Sequence, residues 1–159
     1  MRAAVLTVSD RVSRGEAADG SGDALADLLA ADGYEVARRL VPDEAGEIAA
    51  AIEELARESA LVLTTGGTGV APRDVTPEAT LTVIEREVPG IAEALRASSI
   101  AKTPHGLLSR GVAGVRGTTL VVNLPGSTGG CRDGYAILQP ALGHALSLLA
   151  DEPTHHRQT

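Results

Sequence analysis

Short apolar runs alternate along this chain with segments whose apolar residues recur at helical spacing, and this alternation limits the folds open to it. The apolar runs predict buried strands at residues 3–8, 34–41, 61–65 and 118–122. The periodic segments predict helices over 22–33, 48–55, 76–88, 91–100 and 136–149, while residues 107–115 predict only short strands and turns. Strands that alternate with helices of this length indicate an α/β protein. Its sheet is open, twisted, mostly parallel and covered on both faces. The length predicts one domain over residues 1–150, followed by a polar tail at 151–159.

Composition excludes several classes of protein. Fourteen Lys and Arg against 21 Asp and Glu give a formal charge of −7, which disfavours binding to nucleic acid. No Trp or Phe is available to stack on bases, and only Tyr34 and Tyr135 are aromatic. The single Cys131 cannot form an internal disulfide, and the sequence has neither a leader pattern nor a membrane-spanning apolar run. We therefore expect a cytoplasmic protein that contacts neither nucleic acid nor a membrane.

The residues that follow each predicted strand carry most of the chemistry. Asp10 follows the first strand, Asp43 the second, and a Gly-Gly-Thr-Gly loop with Asp74 beyond it the third. In sheets of this kind, ligands bind outside the carboxyl ends of the strands. We therefore expect these groups to converge at one edge of the sheet.

The glycine loop at residues 66–69 can bring backbone amides close to an anion, and Thr65 and Thr68 add hydroxyl donors. The loop has neither the Lys-Ser or Lys-Thr pair of a Walker loop nor the position of a dinucleotide fingerprint. The alternative is that these glycines only form a tight turn.

Asp43 and Asp74 would lie near a phosphate bound at this edge, where a shared Mg²⁺ would offset their repulsion. Either residue could instead cap a turn or helix. The segment from Asp19 to Gly22 has the same two interpretations, because Asp19 or Ser21 could cap the first helix and its N-terminus could receive an anion.

An amide, a rigid turn and a hydroxyl follow the last predicted strand at Asn123, Pro125, Gly126 and Ser127. They could bind a heterocycle or a phosphate, although turn formation alone also explains Pro-Gly. Cys131 is predicted to be a buried thiol rather than a nucleophile. The four histidines show no metal-ligand spacing.

Taken together and in order, five segments between residue 2 and about residue 150 resemble the molybdopterin-binding proteins of the MogA and MoaB type, also found as the adenylyltransferase domain of gephyrin. The segments are Thr-Val-Ser-Asp-Arg at 7–11, Asp-Gly-Ser-Gly at 19–22, Thr-Thr-Gly-Gly-Thr-Gly at 64–69, Arg-Asp-Val-Thr-Pro-Glu-Ala at 73–79 and Asn-Leu-Pro-Gly-Ser at 123–127. The resemblance implies a three-layer α/β/α fold, a homotrimer or hexamer, and a role in molybdenum cofactor biosynthesis. It also implies an enzyme that uses MgATP to adenylylate molybdopterin, releasing pyrophosphate, before a later protein inserts molybdate.

The resemblance also implies roles for individual residues. Asp43 and Asp74 match the acidic residues important for catalysis, and we assign them to Mg²⁺ and nucleotide phosphate. The glycine loop and its neighbours would bind pterin or phosphate; these residues are Ser9, Asp10, Asp19, Ser21, Gly22, Thr65, Gly66, Gly67, Thr68, Gly69, Thr76, Glu78, Asn123, Pro125, Gly126 and Ser127. Because Lys102 is the only lysine, the candidate phosphate partners are Arg11, Arg73 and Arg110.

Two other classes of function remain as alternatives. A binding module could hold molybdopterin without adenylylating it, although the presence of both Asp43 and Asp74 favours the enzyme. A flavin carrier or a phosphorelay receiver fits less well. The chain has no Trp or Phe to stack on a flavin, and Thr64 and Thr65 stand where a receiver would carry an acidic phosphoacceptor.

Overall fold

In the computed structural model of this protein, which describes residues 1–151, six strands form one sheet. The strands are β1 (Arg2–Val8), β2 (Glu35–Val41), β3 (Leu61–Thr65), β4 (Arg86–Glu87), β5 (Ala113–Arg116) and β6 (Thr119–Leu124). Their order across the sheet is β2-β1-β3-β6-β5-β4. Strands β2, β1, β3 and β6 run parallel, whereas β5 pairs antiparallel with β6 and β4 pairs antiparallel with β5. The predicted α/β class with a mostly parallel sheet is confirmed.

Helices cover both faces of the sheet and make three layers. They are α1 (Asp10–Ser13), α2 (Gly20–Ala31), α3 (Ala45–Ala56), α4 (Thr76–Val83), α5 (Pro89–Lys102), a 3-10 helix (Pro104–Leu108) and α6 (Thr128–Leu149). Alternate strand residues point to opposite faces. Val5 and Leu63 lie in one core cluster with residues of α2 and α6, whereas Leu6 and Val62 lie in a second with residues of α3 and α4. Within residues 1–151, none of the helices has both the length and the hydropathy needed to span a membrane.

Helix α6 begins at Thr128, eight residues before the predicted start at 136. The Oγ of Ser127 accepts a hydrogen bond from the Gly130 backbone nitrogen at 3.1 Å and so caps the helix. A Cβ at Gly130 would lie 2.6 Å from Pro125, and one at Gly134 would lie 2.8 Å from Leu124. These glycines therefore serve close packing inside a helix and do not mark its start.

One further prediction about local structure was wrong. Strand β6 extends to Leu124, so Asn123 lies within the strand, opposite Thr64, and not in the turn that follows. Helix α4 begins at Thr76 as predicted, with Val75 at the cap position, and Thr76 Oγ1 donates to the Gly66 carbonyl.

The helix predicted over 76–88 ends at Val83, and residues 86–87 form strand β4 instead. The remaining differences are smaller. The segment after β1 contains the single helical turn α1, and residues 107–115 contribute the end of the 3-10 helix and part of β5. Most of the predicted polar tail, residues 152–159, lies outside the described residues. The assignment of residues 1–150 to one domain stays a prediction.

Candidate functional site at the carboxyl edge

Two cavities open at the carboxyl ends of the parallel strands and share the wall formed by Gly126 and Ser127. The larger, of about 680 Å³, is bounded by the glycine loop on one side and by α5 and the 3-10 helix on the other. The smaller, of about 400 Å³, lies over the start of α2 and the end of β1. The predicted convergence of loops therefore produces two neighbouring cavities.

The glycine loop turns sharply at Gly66 and Gly67, which have φ angles of +98° and +68°. Residues that carry a side chain rarely adopt φ angles in this range, and a Cβ at Gly66 would lie only 2.2 Å from the Val8 carbonyl oxygen. Thr65, just before the loop, donates its hydroxyl to the Pro125 carbonyl at 2.7 Å. Thr65 Oγ1 also lies 3.0 Å from Ser21 Oγ, so one side chain links the loop to both neighbouring segments.

The aspartates after β1 and β2 hold each other through their backbones. The Asp10 nitrogen donates to Asp43 Oδ2 at 2.8 Å, and the Asp43 nitrogen donates to Asp10 Oδ1 at 3.0 Å. Arg73 completes the group with a two-pronged contact on the Asp10 carboxylate, its Nε lying 2.6 Å from Oδ2. This arrangement fixes the ends of two adjacent strands.

The same arrangement shifts the pKa values of the two carboxyl groups in opposite directions. The hydrogen bonds from Arg73 and from the Asp43 backbone lower the pKa of Asp10 to about 2. Burial raises the pKa of Asp43, and the negative charges of Asp10 and Asp74 add to that effect. Of these two carboxylates, Asp43 is therefore the one whose charge the protein neutralises less well.

Asp43 and Asp74 approach the glycine loop at different points. Asp43 Oδ1 lies 3.1 Å from where a Cβ of Gly67 would stand, and Asp74 Oδ2 lies 2.8 Å from the corresponding position at Gly69. Asp74 Oδ2 also accepts a hydrogen bond from the Ala71 nitrogen at 3.0 Å. The structure thus brings the two predicted catalytic residues to one loop.

This donor set fits Mg²⁺ that arrives with a nucleotide. In the described part of the chain, no three His, Cys, Asp or Glu side chains are grouped to hold a metal by themselves. Mg²⁺ is commonly bound through one or two carboxylates, with waters and substrate phosphates as the other ligands. Asp43 and Asp74 beside the glycine loop can supply the two carboxylates.

Two of the three candidate arginines are engaged with the protein. Arg73 contacts Asp10 and also Glu44, at 2.9 Å. Arg110 pairs with Glu78 and lowers the pKa of that carboxyl group. Arg11 is exposed, and no hydrogen bond or ion pair of its side chain occurs within residues 1–151.

The predicted site residues separate into three groups. The larger cavity is lined by Gly67, Thr68, Gly69, Asp74, Asn123, Pro125, Gly126 and Ser127. The smaller cavity is lined by Ser9, Asp19, Ser21, Thr65, Gly66, Gly126 and Ser127. Neither cavity is lined by Asp10, Gly22, Asp43, Thr76 or Glu78.

Several of these residues have structural roles that are now visible. Asp19 caps α2, since its Oδ1 accepts from the Gly22 nitrogen at 3.1 Å, and it also pairs with Arg38. The Asn123 side chain is buried and fully used inside the fold. Cys131 is a buried thiol, as predicted, and burial raises its pKa.

Sequence reasoning missed the far wall of the larger cavity. That wall is formed by residues of α5 and the 3-10 helix, among them Leu95, Arg96, Ser99, Lys102 and His105. The sequence predicts helix α5 but does not show which face meets the cavity. The polar residues of α5 that line this wall, Arg96, Ser98, Ser99 and Lys102, were the available signal.

Comparisons with known proteins agree with this architecture. Residues 4–144 match the family model described as a probable molybdopterin binding domain. The chain is 39% identical over 151 residues to the molybdopterin adenylyltransferase of Escherichia coli K12, covering 92% of this chain and 77% of that protein. It is 38% identical to gephyrin of Dictyostelium discoideum, but there it spans only 22% of the relative's length.

A solved structure of a related protein has the same fold. The molybdopterin biosynthesis enzyme MoaB of Thermus thermophilus superimposes with a TM-score of 0.87 at 50% identity, covering 96% of this chain and 98% of that one. The family match spans most of the sequence, and the strand order and glycine loop lie within it. The chain belongs to the molybdopterin-binding domain family of molybdenum cofactor biosynthesis proteins.

Proposed function

We propose that this protein is a molybdopterin adenylyltransferase. In this reaction a phosphate oxygen of molybdopterin attacks the α-phosphorus of ATP, the bond to the bridging oxygen breaks, and pyrophosphate leaves. The observation that carries the proposal is the placement of Asp43 and Asp74 beside one glycine loop whose residues line both cavities. The name of the Escherichia coli relative supports the same reaction.

The two cavities suit a reaction between two substrates. Gly126 and Ser127 line both cavities, so groups bound in each would meet at that wall. Placing two reactants side by side removes much of the entropic cost of their encounter. We infer that one cavity receives the pterin and the other the nucleotide, with the reacting phosphates near Ser127.

The protein has little covalent chemistry to perform in such a transfer, so orientation and charge supply most of the rate. Asp43 and Asp74 would hold Mg²⁺, which would neutralise charge on the nucleotide phosphates. The Asp43 carboxylate is fixed by its reciprocal backbone hydrogen bonds with Asp10, and the Asp74 carboxylate by the hydrogen bond from the Ala71 nitrogen. The weakly neutralised charge of Asp43 is what a cation would complement.

Several features of the family resemblance belong to the same proposal. We infer a homotrimer, with a hexamer as the other assembly, a cytoplasmic location, and transfer of the product to a molybdate-inserting protein. Sedimentation of the purified chain at several concentrations distinguishes the two assemblies. A sedimenting monomer at micromolar concentration would contradict both.

The test of the reaction is direct product analysis. Purified protein is incubated with molybdopterin, ATP and Mg²⁺, and adenylylated pterin and pyrophosphate are quantified by mass spectrometry and a coupled assay. We expect equal amounts of both products, and none after EDTA or without ATP. Matched reactions without protein measure the background.

The alternative is a binding module that holds molybdopterin without transferring adenylate. If the protein binds molybdopterin and forms no adenylylated product with any divalent ion, the binding module replaces the enzyme.

A further inference from the structure

Thr76 and Arg110 together hold every carbonyl of the glycine loop. The Gly66 carbonyl accepts from Thr76 Oγ1 at 2.9 Å, and the Gly67 carbonyl accepts from the Thr76 nitrogen at 3.1 Å. The next two carbonyls accept hydrogen bonds from Arg110. The Thr68 carbonyl accepts from the Arg110 backbone nitrogen at 2.8 Å, and the Gly69 carbonyl accepts from Arg110 Nε at 2.7 Å. Two residues from outside the loop therefore fix four consecutive peptide groups.

The opposite side of these peptide groups is left free. In a planar trans peptide the N–H points away from the C=O, and no cis peptide bond occurs in residues 1–151. The N–H groups of residues 67–70 must therefore point away from Thr76 and Arg110. No hydrogen bond within the described residues uses any of these four N–H groups as its donor.

Thr76 is itself held in place by a buried network. Its side chain is completely buried, and its carbonyl accepts from Thr80 Oγ1 at 2.7 Å. Thr80 Oγ1 in turn accepts from Asn123 Nδ2 at 3.0 Å. The loop is thereby connected to the end of β6 through a chain of hydrogen bonds inside the protein.

Arg110 connects the loop to one of the proposed catalytic residues. Its Nη2 donates to the Asp74 carbonyl at 2.7 Å while its Nε holds Gly69 and its Nη1 contacts Glu78. The guanidinium fork is thus occupied at all three nitrogens. A lysine in its place would keep the charge but could not make these contacts simultaneously.

We propose that Thr76 and Arg110 are positioning residues that aim the amides of residues 67–70 at a phosphate group of the nucleotide. This inference rests on the proposed function and adds to it that Arg110 acts through the loop and Asp74, not as a phosphate ligand. A run of consecutive backbone amides without protein acceptors is a known way to bind phosphate. Because the carbonyls are tied on the far side, the row is formed before the ligand arrives.

The first experiment measures binding of inorganic pyrophosphate in the presence of Mg²⁺ by calorimetry, with no pterin. Thr76→Val removes the side-chain bond at nearly constant volume, and Thr76→Ser retains it. We expect about tenfold weaker binding for Thr76→Val and near wild-type binding for Thr76→Ser. Thr82→Val is the matched control, because the Thr82 hydroxyl bonds only the Ala79 carbonyl within the same helix.

Arg110→Lys separates positioning from direct charge contact. If Arg110 positions the loop, the lysine variant binds pyrophosphate about tenfold more weakly despite its charge. It should also move the amide resonances of Gly67 and Gly69 in ¹⁵N-glycine-labelled protein before any ligand is added. Wild-type affinity and unchanged resonances in Arg110→Lys would overturn the proposal, as would equal affinities for Thr76→Val and Thr76→Ser.

The proposed function and this inference fail separately. Wild-type protein that binds pyrophosphate with the expected variant pattern but forms no adenylylated pterin would refute the adenylyltransferase and leave the positioning roles intact. Wild-type protein that binds no pyrophosphate would refute the positioning roles, whatever its activity.

Discussion

Two polar regions lie side by side at the carboxyl edge of the sheet and have opposite properties. Around Asn123 the polar side chains are satisfied: its Nδ2 contacts Thr64 and Thr80, and its Oδ1 accepts from the Val112 nitrogen. Around the glycine loop, amides lack acceptors and Asp43 carries a poorly neutralised charge. No buried side-chain nitrogen or oxygen in residues 1–151 lacks a hydrogen-bond partner.

This difference shows how the fold divides its polar groups between stability and function. A buried network in which each member has a partner holds β3, β6 and α4 together. Donors and charges left without protein partners cost stability, and a ligand that supplies the missing partner recovers it. We therefore expect substitutions in the first region to affect unfolding and substitutions in the second to affect activity.

The largest effect is expected at the two carboxylates beside the loop. Asp43→Asn and Asp74→Asn remove the charge that would hold Mg²⁺, and each should lower kcat/KM on the order of 100-fold or more. The measurement is the initial rate of adenylylated pterin formation. Asp23→Asn is the control, since that exposed carboxylate pairs with Arg38 and, unlike Asp43 and Asp74, does not approach the glycine loop. A loss below tenfold in both variants would contradict the assigned roles.

The next effect belongs to the buried network. Asn123→Leu leaves the Val112 nitrogen and two threonine hydroxyls without their partner, and should lower the free energy of unfolding by about 2–4 kcal/mol. Denaturant unfolding of the variant and of wild type measures the difference. A change below about 1 kcal/mol would mean that the network does not stabilise the fold.

The third effect is the response of activity to acid. Because the pKa of Asp43 is raised above 3.8, its carboxylate is lost as the pH falls through that raised value, while Asp10, with a pKa of about 2, stays ionised. The rate should therefore fall at acid pH as Asp43 becomes protonated. Arg73→Gln removes the cation that lowers both pKa values, so it should move the acid limb of kcat/KM to higher pH. An unmoved limb would exclude Asp43 as the titrating group.

The smallest effect is the stability cost of Asp43 itself. A carboxyl group whose pKa is higher in the folded state lowers the free energy of unfolding once the pH rises above its pKa in the unfolded state. The full loss of stability is present at neutral pH. Asp43→Asn should therefore raise the free energy of unfolding slightly near neutrality. It should cause no gain below the ordinary Asp pKa. Thermal unfolding at neutral pH and at a pH below the ordinary Asp pKa measures the difference. A loss of stability at neutral pH would contradict the prediction.

Much of the fold could be predicted from the sequence, and the reason is periodicity. The runs at β1, β2 and β3 and the helical spacing in α2 and α3 are local patterns that packing did not override. The start of α6 at Thr128 was missed because Gly130 packs closely against Pro125, a neighbour that the sequence does not identify. The strand position of Asn123 was missed for a similar reason, since its pairing with Thr64 depends on register.

The sequence alone determined the alternation of strands and helices, the edge at which the polar loops gather and the family to which the chain belongs. Only the tertiary structure decided what each polar group does there. It showed that Thr76 and Arg110 hold the carbonyls of the loop, that Asp10 and Asp43 have pKa values shifted in opposite directions, and that α5 forms the far wall of the larger cavity. The physical reason is that periodic burial is encoded locally, whereas a hydrogen-bond partner or a neighbouring charge is set by residues distant in the chain.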